Sequence, residues 1–195
     1  MAPESDLVTG LKSGDSATFD RVYELYNPRL YGFLVRMTRR RDVAEDLLQE
    51  TWVRLAKNAS RLRDDTELSA WLFTVARNVY RTYHRWRVLD SDRINELSLA
   101  RFRRAEATTP FEDTAATELQ ARLERALAAL PDRYREVLLL VAVERMEPSQ
   151  AAGVLGLEPT AFRKRLSRAR SMIAAALDQV DDTGMAQKAR KRKAS

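Results

Sequence analysis

The stretch Leu68–Trp86 (LSAWLFTVARNVYRTYHRW) constrains the fold most, because its apolar and polar side chains alternate with the period of an α-helix. The apolar side chains recur at helical spacing and predict a buried face made of Leu68, Trp71, Leu72, Val75, Val79, Tyr83 and Trp86. The opposite face mixes cations with short hydrogen-bonding side chains, namely Thr74, Arg77, Asn78, Arg81, Thr82 and Arg85. We therefore predict an amphipathic helix that packs on a core and exposes a basic face.

The rest of the chain extends this helical pattern. Gly and Pro are scarce at 6 residues each among 195, and hairpin signals and runs of β-branched residues are missing. The apolar content of 45% is enough to bury a core, and the charged content of 32% indicates a well-solvated surface. These features predict an all-α protein with one domain or two small ones.

Charge and cysteine content narrow the possible functions. The formal net charge of +6 favours polyanionic partners, although so small an excess is a weak signal. The chain has no Cys, which excludes disulfides, thiolate metal sites and Cys nucleophiles. The N-terminus lacks a signal-peptide core, and the longest apolar run, Val137–Val143, is too short to span a bilayer. We expect a cytoplasmic protein with no membrane insertion and no cofactor.

The basic face of the predicted Leu68–Trp86 helix suits nucleic acid. Arg77, Arg81 and Arg85 recur every four residues, so their guanidinium groups form one row that can neutralise phosphates. Asn78 and Thr82 can hydrogen-bond to base edges. The rings near this face that could stack on unpaired bases are Tyr80, Tyr83 and Trp86. For a single helix, a solvated basic surface without a ligand is the commoner outcome.

An acidic helix is predicted over Asp42–Lys57, with Asp42 as its cap. Its outer face is spaced i, i+3, i+4, i+7, i+8 and consists of Asp42, Glu45, Asp46, Gln49 and Glu50. A solvated surface or a dock for a basic partner protein would both explain it. A carboxylate metal site or an acid–base enzyme is disfavoured, because the only His, His84, lies elsewhere and no Gly-rich phosphate loop accompanies the acids.

Between these two helices, Asn58–Glu67 is a polar loop whose candidate ligand groups are Asn58, Ser60, Arg61 and Arg63. Such a loop could hold an extruded base, and a plain surface connection explains its composition equally well. After the basic helix, residues 88–116 are predicted to be a flexible linker. The last residues, 181–195, are predicted to be a basic disordered tail.

A second domain is predicted over residues 117–180, with helix-turn-helix spacing. Pro148 and Pro159 each follow a Glu at a helix start, and Gly156 lies just past the end of the first helix of the pair. The exposed face of the second helix carries Thr160, Arg163, Lys164, Ser167 and Arg168. A face of cations and small polar groups suits the major groove of DNA, and a helical hairpin with a basic surface is the alternative.

Three blocks, in this order and spacing, carry a specific resemblance. They are Gly14–Lys57, with EDLLQETWVRL; Ser69–Arg87, with AWLFTVARN; and Leu127–Ile173, with LPDRYREV and RLSRAR. Together they make the chain resemble a sigma-70 family RNA polymerase sigma factor of the two-domain extracytoplasmic-function (ECF) group. The resemblance implies that residues 1–87 form the region 2 helical bundle, which recognises and melts the −10 element. It also implies that residues 117–180 form the region 4 helix-turn-helix, which recognises the −35 element.

The resemblance also implies partners and site residues. The acidic helix would dock on the coiled-coil of the largest subunit of core RNA polymerase, and a second contact would come from the flap of the second-largest subunit. The loop would hold a flipped non-template base at residues 58–63, Asn78 and Thr82 would contact bases or backbone, and the 160–168 face would contact the −35 element. An anti-sigma factor would inhibit the protein. Such a sigma factor is not an enzyme, and it works in the bacterial cytoplasm, associated with the nucleoid when in holoenzyme.

Two segments depart from the family pattern. Residues 147–151 (EPSQA) replace the usual Ser cap, acidic residues and larger aliphatic, and Pro159 and Phe162 stand where smaller or β-branched residues are common. An unusual −35 sequence would follow. The alternative function that the residues leave open is a helix-turn-helix transcriptional regulator that binds duplex DNA without being a polymerase subunit. Such a regulator would need neither the acidic helix nor the aromatic-rich basic helix.

Overall fold

The computed structural model describes residues 4–91 and 118–193, and all of the regular structure in these two ranges is helical. The helices are α1 Glu4–Ser13, α2 Ser16–Thr38, α3 Arg41–Asn58, α4 Leu68–Ser91, α5 Glu118–Ala129, α6 Asp132–Leu138, α7 Pro148–Leu155 and α8 Pro159–Lys193. The predicted all-α class is confirmed. The chain divides into two compact units, one built on α1–α4 and one on α5–α8, and each is described by itself.

The first unit is a helical bundle in which α2, α3 and α4 pack against one another and α1 packs on α2. Its centre is formed by aromatic and aliphatic side chains with almost no exposed surface. Phe33 and Phe73 meet edge to face with their ring centroids 5.5 Å apart, and Leu30, Leu55 and Leu72 are fully buried around them. Burial of each such side chain is worth about 1.5–3 kcal/mol, so this contact between α2 and α4 anchors the bundle.

Helix α2 begins at a side-chain cap and continues through a proline. Its cap is Asp15, whose carboxylate accepts a hydrogen bond from the backbone N–H of Thr18 at 2.9 Å. This hydrogen bond, together with one from the Thr18 hydroxyl, lowers the pKa of Asp15. The helix then runs on through Pro28. Pro28 is exposed, so water can satisfy the carbonyl that proline leaves without its helical partner.

The buried face of α4 is rotated from the predicted one. Leu68, Leu72 and Val79 are buried as predicted, but Phe73 and Ala76 are fully buried too, and the predicted core residue Trp86 is 64% exposed. Trp71 and Val75 are only half-buried. The rotation has a physical cause: the edge-to-face contact of Phe73 with Phe33 turns the Phe73 side of the helix inward. Trp86 lies four turns further along, beyond this contact.

The second unit is organised around α8, which packs on both α5 and α6. The apolar run Val137–Val143 lies at the end of α6 and in the π-helical turn that follows it, Leu139–Val143. The backbone N–H of Met146 closes the turn on the carbonyl of Leu140 at 3.0 Å, and Arg145 takes a left-handed conformation with φ +55°. This turn reverses the chain into α7 and the helix-turn-helix pair.

Helix α5 ends at a buried cation that the sequence analysis had not singled out. Arg135 of α6 is 1% exposed, and its guanidinium donates hydrogen bonds to the carbonyls of Leu127, Ala128 and Leu130 at 3.0, 3.1 and 2.6 Å. An ion pair with Asp132 at 3.2 Å balances its charge. Arg135 therefore satisfies the carbonyls at the end of α5 and fixes the turn into α6.

The leucines that recur along α5 and its end are buried only toward the C-terminal end of the helix. Leu127 and Leu130 are buried, whereas Leu119 and Leu123 are exposed. The C-terminal segment also differs from prediction, because α8 continues to Lys193 where a disordered tail was expected. The Ala, Lys, Arg, Gln and Met residues that dominate 185–193 all have high helix propensity and no Pro interrupts them, which accounts for the helix. Of the predicted linker, residues 92–116 lie outside the described residues, and α4 extends to Ser91.

Candidate functional site

The acidic stripe on α3 consists of the five residues predicted for it, and all five are exposed: Asp42, Glu45, Asp46, Gln49 and Glu50. Trp52 holds the opposite side of the helix in place. Its indole N–H donates to the Asn27 side chain at 3.0 Å, and its ring lies 4.9 Å from that of Tyr23 and 6.0 Å from that of Phe19. The stripe therefore stands on a helix whose rotation is fixed by α2.

Two of the stripe's four carboxylates form ion pairs within the protein. Asp42 is not the helix cap that we predicted, because the cap position is Arg40. Instead the Arg40 guanidinium binds the Asp42 carboxylate, with Nε and Oδ1 3.1 Å apart, and lowers the Asp42 pKa. Glu50 pairs with Arg54 at 2.8 Å. Asp46 forms no ion pair within residues 4–91 and 118–193, so its charge is the most available to a partner.

One exposed apolar side chain lies on the acidic stripe, and the sequence analysis missed it. Val53 continues the stripe's spacing after Gln49 and Glu50 and is 37% exposed. Its i+4 and i+3 relation to Gln49 and Glu50 was visible in the sequence and could have revealed it. A partner helix on the stripe would meet carboxylates and the side chain of Val53 together.

The loop between α3 and α4 presents its predicted polar side chains outward. It begins with a 3₁₀ turn, Ala59–Arg61, and the buried side chain of Leu62 anchors it. The exposed members of the predicted set are Ser60, Arg61 and Arg63. Arg63 makes a two-fold ion pair with Asp65, with both N–O distances at 3.0 Å. The fourth member, Asn58, is half-buried, and its amide donates to the carbonyl of Arg54 at 2.8 Å.

Helix α1 supports this loop from behind. It packs on the 3₁₀ turn, and Lys12 forms an ion pair with Asp64 of the loop. On its other side, the Tyr26 hydroxyl of α2 donates to Glu4 at 2.9 Å, and burial together with this carboxylate raises the pKa of Tyr26. The loop is thus held between α1 and the start of α4.

The basic face of α4 is exposed along Asn78, Arg81 and Arg85, which are spaced i, i+3 and i+7. Thr82 is half-buried, and its hydroxyl donates to the carbonyl of Asn78 at 2.9 Å. The exposed row differs from the predicted Arg77–Arg81–Arg85 row, because Arg77 is buried.

Arg77 and Tyr80 are both buried, although both were predicted to contact DNA. Tyr80 lies seven residues after Phe73, on the side of α4 that the Phe33 contact turns inward. Their roles in DNA binding stay predictions. The best-exposed ring on this part of α4 is that of Trp86, while Tyr83 is half-buried.

In the second unit, all five residues predicted to contact DNA are exposed on α8: Thr160, Arg163, Lys164, Ser167 and Arg168. Gly156 provides the left-handed turn before this helix with φ +61°, and the N–H of Leu157 closes on the carbonyl of Ala152 at 3.0 Å. Arg170 is exposed too and lies seven residues after Arg163, on the same side of the helix. The sequence analysis missed Arg170, although its i+7 spacing indicated it.

Membrane-spanning helices and metal-binding clusters are both absent from the described residues. No helix within 4–91 and 118–193 combines the length and apolar character needed to cross a membrane. In the same residues, no group of three or more His, Cys, Asp or Glu side chains is arranged to hold a metal ion.

Comparison with known proteins identifies the chain's family. The family model for sigma-70 region 2 matches residues 22–88, and the model for sigma-70 region 4 matches residues 120–173. The ECF RNA polymerase sigma factor SigM of Bacillus subtilis is 32% identical over 161 residues, which cover 81% of this chain and 94% of SigM. EcfG of Rhodopseudomonas palustris is 33% identical over 162 residues, covering 80% and 84% of the two chains.

The chain belongs to the ECF group of the sigma-70 family. As a sigma factor it acts in transcription initiation, binds RNA polymerase and binds DNA, so the resemblance inferred from the sequence is confirmed.

Solved sigma factors share the fold. The sigma factor RpoE in complex with the anti-sigma factor NepR from Bartonella quintana matches with a TM-score of 0.67 and 28% identity, over 82% of this chain and 96% of that one. CnrH in complex with the cytosolic domain of CnrY matches with a TM-score of 0.65 and 25% identity, over 90% and 97%. The region 2 match covers the acidic stripe, the loop and the basic face of this sigma factor, and the region 4 match covers the exposed face of α8.

Proposed function

We propose that this sigma factor docks on core RNA polymerase through the acidic stripe of α3, opens the −10 element with α4 and its preceding loop, and recognises the −35 element with α8. One observation carries the proposal. Within a single helical bundle, the exposed carboxylates of α3 lie on one face of that helix, while exposed cations and an amide line one face of α4, after the connecting loop. A basic protein that presents an acidic face has a surface for protein beside its surface for DNA.

Docking is the first step. Exposed charges at an interface mainly set the association rate and its salt dependence. We expect the charge reversal Asp46→Lys with Glu50→Lys to weaken core binding by tenfold or more, about 1.4 kcal/mol. Asp20→Lys with Glu24→Lys is a matched control, because both are exposed carboxylates on α2, outside the stripe and likewise spaced i, i+4. Equal weakening by the control would show that net charge rather than the stripe determines binding.

Opening of the −10 element would follow from capture of unstacked bases without hydrolysis of ATP. Support comes from the exposed row Asn78, Arg81 and Arg85, from Ser60 and Arg61 in the loop, and from the exposed ring of Trp86. In holoenzyme, Arg81→Ala with Arg85→Ala should reduce permanganate reactivity of thymines in the opened region. Arg87→Ala is the control, because Arg87 is exposed on another side of α4. Unchanged reactivity in the double variant would refute the role of this row.

Recognition of the −35 element is assigned to α8. The alternation of Arg163, Lys164 and Arg168 with Thr160 and Ser167 offers phosphate contacts and base-edge contacts on one helix face. A well-formed base contact contributes about 1–3 kcal/mol of discrimination. Substitutions of individual residues on this face should therefore change the preferred −35 sequence without changing affinity for core polymerase.

The decisive experiment is run-off transcription from a library of genomic fragments with bacterial core polymerase and this protein. Specific initiation that depends on the protein is expected, and the selected fragments define the promoter. Absence of initiation on every fragment, with DNA binding retained, would instead favour the helix-turn-helix regulator. A further partner is an anti-sigma factor, which is supported by the anti-sigma complexes of the similar RpoE and CnrH. Co-purification from the source cells should recover a protein that blocks this transcription.

A further inference from the structure

A buried ion pair connects α6 to α8, the helix that presents the proposed DNA face. The Glu136 side chain is only 8% exposed and that of Arg165 is 27% exposed, and Arg165 Nη1 lies 3.5 Å from Glu136 Oε1. Of the cations on α8 between residues 163 and 170, Arg165 alone is not exposed. Composition alone groups Arg165 with its basic neighbours, but its position places it toward the side of α8 that packs on the core.

Arg165 lies at the border between the two sides of α8. Phe162, Leu166 and Ala169 are buried and hold the helix on the core. Apolar contacts of this kind fix the helix in place but allow small rotations about its axis, because they are not directional. The ion pair with Glu136 acts at one point on the surface of α8 and along one direction, so it can favour one of those rotations.

The other partner of the pair is itself held firmly. Glu136 follows Arg135, whose guanidinium binds three carbonyls at the end of α5. Consecutive residues of α6 thus bind two different helices: Arg135 binds the end of α5, and Glu136 binds Arg165 in the second turn of α8. Through these two contacts, α6 fixes the position of α8 relative to the rest of its unit.

We propose that Arg165 is a positioning residue, which with Glu136 sets the rotation of α8 and so directs the exposed cations toward DNA without contacting DNA itself. The proposal rests on the DNA-binding role of α8 proposed above. A helix with its side chains has a radius of about 6 Å, so a rotation of about 10° moves a side-chain tip by about 1 Å. That is enough to misalign a bidentate hydrogen bond.

The test measures binding of the full-length protein to a fluorescently labelled duplex of random sequence, by anisotropy across a range of salt concentrations. The variants are Arg165→Gln, Glu136→Gln and, as the matched control for a DNA-contacting cation, Arg168→Gln. The slope measured is that of the logarithm of the binding constant against the logarithm of the salt concentration. Loss of one phosphate contact reduces the magnitude of this slope by about 0.9, and we expect this for Arg168→Gln. For Arg165→Gln we expect affinity to fall about three- to tenfold with the slope unchanged, because no phosphate contact is lost.

Glu136→Gln gives the sharpest distinction. Removal of a negative charge should strengthen DNA binding if only overall charge matters. The proposal predicts the opposite, a weakening similar to that of Arg165→Gln. The result that overturns it is tighter or unchanged binding by Glu136→Gln, or a slope that drops by about 0.9 in Arg165→Gln.

A double variant covers the case in which a single variant unfolds. Glu136→Met with Arg165→Met leaves the net charge unchanged and replaces the buried pair by apolar side chains of similar length, an exchange that proteins often tolerate. Weaker binding with an unchanged slope and an intact far-UV circular dichroism melt is expected, and wild-type affinity would overturn the proposal. If the wild-type protein itself does not bind the duplex, the DNA-binding role of α8 fails, and the positioning role fails with it.

Discussion

The buried guanidinium of Arg135 should be among the largest single contributors to the stability of the second unit. Arg135→Met keeps an unbranched side chain of similar length but removes all three hydrogen bonds to the carbonyls of Leu127, Ala128 and Leu130. Each unsatisfied buried acceptor costs about 1–3 kcal/mol, and Asp132, which is 40% exposed, can regain water when its partner is lost. Partial rehydration of the freed turn lowers the sum, so we expect a loss of about 3–5 kcal/mol.

The tryptophans allow this loss to be assigned to one unit. The chain has three, and Trp52, Trp71 and Trp86 all lie in the first unit. In urea titrations, tryptophan fluorescence therefore follows the first unit, while far-UV circular dichroism follows the helices of both. For Arg135→Met, the transition that appears only in circular dichroism should move to lower urea, and the fluorescence transition should stay in place.

Arg133→Met is the matched control for Arg135→Met. Arg133 is an exposed neighbour on α6 whose guanidinium lies 4.8 Å from the centre of the Tyr134 ring. Its removal takes away the same charge and a surface contact worth about 0.5–1 kcal/mol. If Arg135→Met costs no more than Arg133→Met, the carbonyl contacts do not stabilise the unit. If the fluorescence transition moves as far as the circular dichroism transition, the effect is not local to the second unit.

Three further predictions concern backbone conformation and caps. Arg145→Gly should stabilise the second unit by about 1 kcal/mol in the same titration, because Arg145 has φ +55°; a loss of stability would contradict the strain. The variant Gly10→Ala should be about 1–3 kcal/mol less stable than the comparable variant Gly32→Ala. A Cβ at Gly10 would lie 2.8 Å from Thr18 Cβ and Cγ2, whereas one at Gly32 meets only the flexible end of Arg36. Equal stabilities of the two variants would refute the close approach. The pKa of Asp15 is lower in the folded protein, so its cap stabilises above the unfolded pKa of about 3.9 and is lost as pH falls through the folded pKa. The stability difference between wild type and Asp15→Asn should therefore shrink on acidification, and a constant difference would contradict it.

The sequence predicted the surfaces of this protein better than its interior contacts. The five residues of the acidic stripe on α3 and the five polar residues of α8 are exposed as predicted, because their spacing along a helix is a local property of the chain. The buried face of α4 was misplaced, because nothing in 68–86 shows that Phe73 meets the Phe33 ring of α2. Tyr80 is buried on the same side of α4 as Phe73, although composition had placed it outside.

The two arginines that organise the second unit show why its interior contacts could not be predicted from the sequence. In the sequence, Arg135 and Arg165 look like the cations beside them, Arg133 and Lys164. What distinguishes them is a partner fixed by tertiary structure: the free carbonyls at the end of α5 for Arg135, and a buried carboxylate for Arg165. A basic helix can be predicted from its own residues, but the division of its cations between ligand and interior depends on which helices pack against it. For the proposed DNA face of α8, that division separates the residues that would contact DNA from the residue that would orient them.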